Sequence, residues 1–301
     1  MTNKIPLLLL LLLTFLLPSS AMAQERELLD HTGRQTLIPA QPQRVVSLAP
    51  SITEMVFSLG RGELLRGTPH FSDFPPAAQE IPRIGSFVNP DLERIVALRP
   101  DLVLATRDGN PRQLVERLTK MGIAVFVIDP RDFAGIISSF RALGQILNAT
   151  PRAEELATAM EERLTLLHRQ ISTVWQRPSV FFQVGIHPIV SVGEQTFLHE
   201  LIILAGGRNA TAGGPPYPRH SWEDILRLQP EFVIISTKPG LQGPEELRRH
   251  WERWPQLVAV QKQRVHVVDA DLFKRPTFRL LDGLESLARI LHPDLFPINV
   301  D

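Results

Sequence analysis

His199 and Glu200 are the pair in this 301-residue chain that comes nearest to metal chemistry. They begin the His-Glu-x-x-His pattern with which a helix offers zinc two imidazoles and a general base, but position 203 is isoleucine and the second ligand is missing. His187, His199 and His220 stand too far apart in sequence to imply a shared ion, so an ordinary structural role is the expectation for each. There is no Gly-x-Ser-x-Gly elbow, no phosphate loop ending in Gly-Lys-Ser/Thr and no glycine triplet after a strand. Cysteine is absent, which removes thiolate chemistry, disulfides and a lipid-attachment site behind any leader. The expectation is a protein that is not an enzyme and has no cofactor or metal.

The connecting segments carry aromatic surface instead. Phe71 and Phe74 lie in Phe-Ser-Asp-Phe-Pro-Pro, Phe87 in Gly-Ser-Phe-Val-Asn-Pro, Tyr217 in Pro-Pro-Tyr-Pro and Phe273 in Asp-Leu-Phe-Lys-Arg-Pro. For any one of them, burial as a loop anchor and contact with a ligand are both open. Prolines fix the loop backbone before binding and lower the cost of ordering it, so at least some of the five are expected to meet a ligand at the ends of strands, where open α/β sheets place their clefts.

The elements that must position these loops alternate. Arg44 to Leu48 reads as a buried strand, and Ser51-Ile-Thr-Glu54 reads as a capping box opening a helix that Gly60 closes. Helices are expected at Asp91–Leu98 and Pro111–Met121, with strands at Leu102–Ala105 and Ala124–Ile128. From about Pro151 to Trp175 an uninterrupted helix carries Leu156, Met160, Leu164 and Leu167 on one stripe; roughly 23 residues at 1.5 Å each span about 35 Å, enough for a bridge between domains. Alternation then resumes, with strands at Val180–Val184, Phe232–Ser236 and Val265–Val268 and helices at Thr196–Ala205, Trp222–Leu228 and Phe278–Leu291. Strand and helix in turn indicate α/β lobes with mainly parallel sheets.

An internal repeat supports two similar lobes. Glu93-Arg-Ile-Val-Ala-Leu-Arg-Pro-Asp-Leu-Val-Leu104 aligns without gaps to Glu223-Asp-Ile-Leu-Arg-Leu-Gln-Pro-Glu-Phe-Val-Ile234, and Asp91 or Ser221 stands as a capping residue two places before each glutamate. The organisation expected is a leader over 1–23, an N-terminal lobe over 24–150, a bridging helix over 151–177 and a C-terminal lobe over 178–301. Lys4, the leucine-rich run Leu7–Leu17 and Ala21-Met-Ala23 have the charged, apolar and small-residue parts of a cleaved signal peptide. Thirty-two basic residues balance 32 acidic ones, so no net charge gathers polyanions and nucleic acid is not an expected partner.

Several stretches, in order, resemble the BtuF-type family of periplasmic cobalamin-binding proteins that serve ABC importers. They are Arg-Val-Val-Ser-Leu-Ala-Pro-Ser-Ile-Thr-Glu from Arg44, Phe-Ser-Asp-Phe-Pro-Pro-Ala-Ala-Gln from Phe71, Leu-Glu-Arg-Ile-Val-Ala-Leu-Arg-Pro-Asp-Leu-Val from Leu92, Gln-Val-Gly-Ile-His-Pro from Gln183 and Ser-Trp-Glu-Asp-Ile-Leu from Ser221. The resemblance covers almost the whole mature chain. It implies the class III periplasmic-binding-protein fold, two lobes on one long helix with little closure, and a corrinoid held edge-on between them. By position, Phe71 stands where the family has a tyrosine on the corrinoid, Phe87 where it has a tryptophan, and Tyr217 replaces another tryptophan. Asp271, Leu272, Phe273, Lys274 and Arg275 match the family's ligand-contacting loop, and Glu93 and Glu223 match the two glutamates that dock on the permease dimer. Thr106 replaces a further aromatic, and the family's C-lobe disulfide is missing. Haem or a ferric siderophore on the same fold is the alternative ligand, with a metal-ion binder or a hydrolase behind it. The resemblance implies a periplasmic chain, monomeric when free.

Overall fold

The computed structural model describes residues 25–238 and 243–296. The leader expected over 1–23 lies outside the described residues. A hairpin of β1 (Glu25–Leu29) and β2 (Gln35–Pro39) opens the described chain. Beyond it the first sheet runs in the order β4 (Leu65–Gly67), β3 (Val45–Ser47), β5 (Leu102–Thr106), β6 (Ala124–Ile128), all parallel. The second runs β10 (Val265–Asp269), β9 (Phe232–Thr237), β7 (Ser179–Gln183), β8 (Arg208–Asn209), again all parallel. Parallel strands need covering on both faces, which explains why β5 and β9 are buried along their whole length.

The helices are α1 (Pro50–Ser58), α2 (Leu92–Ala97), α3 (Arg112–Lys120), α4 (Phe133–Ile146) and α5 (Thr150–Ile171). After them come α6 (Phe197–Leu204), α7 (Trp222–Leu228), α8 (Pro244–Glu252), α9 (Val258–Gln261), α10 (Ala270–Phe273) and α11 (Leu280–Leu291). Helix α5 joins the lobes and is shorter at its end than the sequence suggests, stopping at Ile171. Its 22 residues still reach about 33 Å. Its apolar stripe is continuous with both sheets: Ala153, Leu156, Ala157, Met160, Leu167 and Ile171 belong to one core with Leu102 and Leu104 on one side and Val180, Phe182 and Ile234 on the other. A Cβ at Gly144 of α4 would lie 2.3 Å from that of Ala153, so glycine is what lets α4 and α5 touch. Ion pairs flank the seam: Arg141 of α4 meets Glu154 and Glu161 of α5 at 3.0 and 3.1 Å, and Arg163 of α5 meets Asp282 and Glu285 of α11 at 2.7 and 2.8 Å.

The repeat has a physical basis at four positions. Asp91 and Ser221 each accept a backbone N–H from the third residue of α2 or α7. Each helix is followed by a non-glycine residue in the left-handed region, Arg99 (φ 46°) and Gln229 (φ 42°), immediately before Pro100 or Pro230. Those prolines disfavour a further helical turn. Asp101 then accepts from the backbone N–H of Arg44 at 3.0 Å, and Glu231 from that of Ser179 at 2.9 Å, so each copy ends by tying its strand to its neighbour.

One local expectation fails. Ser51 and Glu54 form no capping box: α1 begins at Pro50 after an Ala49 N-cap that makes no side-chain bond. The Glu54 carboxylate turns instead to a partner more than 200 residues away, described below.

Candidate functional site

The carboxyl ends of β3, β5 and β6 in one lobe and of β7 in the other open onto a single cavity of about 750 Å3. Its lining includes Phe71, Phe87, Tyr217, Lys274 and Arg275 among the residues singled out from the sequence. Asp271 and Leu272 do not line it. Phe273 cannot, being 1% exposed with its ring packed on Phe182 at 5.6 Å, so this loop aromatic is a core anchor. Phe74 lies beneath the Arg279 guanidinium, 3.9 Å from its ring centre, and is outside the lining too.

Each wall has its own support. Phe71 is held at φ 66° with its ring 70% exposed toward the cleft. Arg83 fixes this loop from below by donating to the Pro69 and Ser72 carbonyls at 3.1 and 3.0 Å. Phe87 leans on Gly109 (φ 95°); a Cβ there would lie 2.1 Å from the phenyl ring, so glycine serves both the backbone turn and the close contact. Asn110, not anticipated from the sequence, ties the ends of β3 and β5 to the loop that carries Phe87. Its amide donates to the Leu48 and Phe87 carbonyls at 3.0 and 2.9 Å and its oxygen accepts from the Thr106 N–H at 2.9 Å. Tyr217, the only tyrosine of the chain, reaches across the mouth from the second lobe, its hydroxyl 3.5 Å from the Asp108 carboxylate of the first. Burial of the phenol, reinforced by that carboxylate, pushes its pKa up to about 12.

The deepest polar feature crosses between the lobes. Arg275 of the second lobe, 9% exposed, donates to Glu54 at 2.5 Å, to Asp73 at 2.7 Å and to the Phe71 carbonyl at 2.9 Å. Asp271 pairs with the same guanidinium at 3.1 Å. Glu54, 2% exposed, also accepts from Thr277 at 3.2 Å and faces Arg279 at 3.6 Å. Burial raises the Glu54 carboxyl, and the bond and charge of Arg275 offset this only in part. Burial also works to raise Asp73, but hydrogen bonds from Lys238 and Arg275 outweigh it and hold that carboxyl at about 2. Lys238, paired with Asp73, sits 5.3 Å above the Phe71 ring. Phe71 is thus an N-lobe side chain presented by C-lobe cations.

The zinc-like pair serves structure. Glu200 accepts the backbone N–H of Phe133 at 2.6 Å, capping α4 across the lobe boundary, and His199 lies 3.2 Å from the Asn209 amide. No group of three His, Cys, Asp or Glu among the described residues could hold a metal ion. Glu93 and Glu223 lie exposed in the first turns of α2 and α7, away from the cleft lining.

With this geometry in view, the chain matches the family described as periplasmic binding protein over residues 45–272. The chain belongs to that family. The vitamin B12-binding protein of Photorhabdus laumondii is 33% identical over 254 residues, covering 84% of this chain and 89% of that protein. The crystal structure of the periplasmic vitamin B12 binding protein BtuF of Vibrio cholerae superposes with a TM-score of 0.77 at 29% identity, over 85% of this chain and 98% of the other. A periplasmic heme-binding protein from Pseudomonas aeruginosa gives 0.75 at 27% identity, over 84% of this chain and 93% of the other. Family membership makes this chain a periplasmic binding protein that works outside the cytoplasm, and a relative from Bacillus subtilis, 29% identical over 89% of this chain and 85% of that protein, is an ABC transporter substrate-binding lipoprotein. The class III two-lobe fold expected from the sequence is the fold found.

Proposed function

We propose that this protein captures a corrinoid in its inter-lobe cleft in the periplasm, after cleavage of the leader, and delivers it as a monomer to the permease dimer of an ABC importer. The observation that carries the reading is the aromatic lining. Phe71 and Phe87 on one lobe face a cavity of about 750 Å3 that Tyr217 borders from the other, which is the shape and surface a flat macrocycle entering edge-on requires. A cavity near the upper end of the usual range of about 300–1,000 Å3 suits a large ligand. Relatives whose names state vitamin B12 binding, at 33% and 34% identity over more than four-fifths of the chain, support the same ligand.

In this reading Phe71, Phe87, Tyr217 and Lys274 meet the ligand, whereas Arg275 acts through Phe71. Arg275 spends its donors on Glu54, Asp73 and the Phe71 carbonyl, and Asp271 completes its neutralisation. Leu272 and Phe273 hold the loop from inside. No reaction is assigned to the site, and the ligand is cargo rather than cofactor. Glu93 and Glu223, one per lobe in equivalent helices, are the groups that would meet basic patches on a two-fold permease.

A second reading, haem, has one observation in its favour: His70 borders the cavity and offers an imidazole to a metal at the ring centre. Absorbance titration of the mature chain with cyanocobalamin, cobinamide and haemin separates the two. One-to-one binding of a corrinoid at micromolar protein supports the proposal, and saturation by haemin alone overturns it.

A further inference from the structure

Arg107 and Arg131 sit at the carboxyl ends of adjacent parallel strands. β5 and β6 pair Thr106 with Ile128, and the Arg107 N–H donates to the Ile128 carbonyl at 2.9 Å. The two guanidiniums converge on one carboxylate: Arg107 Nη1 lies 3.3 Å from Asp129 Oδ2, and Arg131 Nε lies 3.0 Å from Asp129 Oδ1. All three residues line the cleft. The carboxylate is the buried member, with its side chain 11% exposed, while the arginine side chains remain 55% and 51% exposed. A guanidinium has five N–H donors, and these contacts use one of each; no other acceptor is within bonding distance of either among the described residues. Arg275, on the same lining, is neutralised by Glu54, Asp73 and Asp271. Without it the lining holds three cations, Arg107, Arg131 and Lys274, against the carboxylates Asp108 and Asp129. Asp108 is the partner of Tyr217 rather than of either arginine.

We propose that Arg107 and Arg131, braced by Asp129, form a subsite for an anionic group on the periphery of the ligand, a phosphodiester or a free carboxylate. The proposal rests on the corrinoid reading given above. Paired forks of this kind suit planar or tetrahedral oxyanions, and Asp129 holds them in place before the ligand arrives. The apolar walls then receive the ring while the subsite fixes which edge points inward.

The test uses the mature chain and a triple variant, R107Q/D129N/R131Q, which removes both cations without leaving Asp129 bare. Each is titrated with cyanocobalamin, which carries a phosphodiester, cobyric acid, which carries a carboxylate and no phosphate, and cobinamide, which carries neither. We expect the affinity ratio of at least one anionic corrinoid to cobinamide to fall about tenfold in the variant, and the wild-type ratio to shrink as salt is raised. A fall confined to cyanocobalamin assigns the phosphodiester, and one confined to cobyric acid assigns the carboxylate. Ratios within twofold of wild type overturn the subsite. Should the wild type bind haemin and no corrinoid, the corrinoid reading fails by itself, and the ratio of haemin to its dimethyl ester decides the subsite by the same criterion. Binding of none of these overturns both. If the triple variant does not melt cooperatively, R107Q and R131Q are measured singly, and each must lower the ratio by about threefold.

Discussion

Arg275→Met tests the inter-lobe ion cluster and has a magnitude that follows from the structure. The substitution keeps the bulk of the stem but strips Glu54, 2% exposed, of its closest cation. Breaking a buried pair from one side costs about 3–5 kcal/mol when the remaining charge cannot escape. Here it can, because Glu54 can take up a proton. Starting from the ordinary value of 4.5, protonation at pH 7 costs about 3.4 kcal/mol at 1.36 kcal/mol per pH unit. Arg279, 3.6 Å away, recovers part of this. The expected loss at pH 7 is therefore about 2–3 kcal/mol. The sign of its pH dependence is fixed as well. In the variant the folded state holds a proton on Glu54 that the unfolded chain has released above 4.5, so stability falls as pH rises by up to about 1.4 kcal/mol per unit. Urea unfolding followed by far-UV circular dichroism at pH 5 and pH 7 reads both quantities. The deficit should be small at pH 5 and large at pH 7, and E54Q/R275M should recover most of it. Ligand binding should stay weakened by about tenfold even in that double variant, because the Phe71 carbonyl has lost its donor at 2.9 Å. A deficit below about 1 kcal/mol, or one equal at the two pH values, would refute the reasoning.

Three further outcomes are expected. Phe71→Ala and Phe87→Ala should each weaken corrinoid binding by about 1 to 3 kcal/mol, the scale of aromatic burial, as read by titration; unchanged affinity in both would remove the aromatic walls from the site. The shared core and the ion pairs along α5 should keep the lobes a nearly fixed pair, so small-angle scattering with and without ligand should give the same radius of gyration within about 1 Å, and wide closure would contradict this. Glu93→Arg with Glu223→Arg should leave ligand titration unchanged while abolishing association with permease-containing vesicles. Transport at the wild-type rate by that variant would reduce both glutamates to helix-end residues.

Much of the frame is legible because its signals are local. Leu102–Thr106, Ala124–Ile128 and Phe232–Thr237 are short apolar runs bounded by turn residues, and all three are strands. The stripe on α5 has helical spacing. Helix α4 is not legible because Phe-Ala-Gly-Ile-Ile-Ser-Ser-Phe-Arg-Ala-Leu-Gly-Gln-Ile carries two glycines and paired serines, poor helix formers, of which Gly144 permits close packing on α5. The hairpin at Glu25–Pro39 escaped because its alternation is brief and one face is exposed. In the cleft, the loop aromatics were visible as residue types, but exposure was not. Phe71 and Phe273 look alike in sequence, and only the presence of Phe182 beside one of them separates wall from core. Glu54 and Arg275 are 221 positions apart, so the local pattern at Ser51 suggested a cap where tertiary structure supplies a stronger partner.

The crystal structure of the mature protein grown with cyanocobalamin tests the central claim most directly. The account predicts one corrinoid between the lobes, its ring edge-on against Phe71, Phe87 and Tyr217, with Arg275 still bonded to Glu54 and to the Phe71 carbonyl. A cleft empty under saturating ligand, or a corrinoid bound elsewhere on the surface, would contradict it.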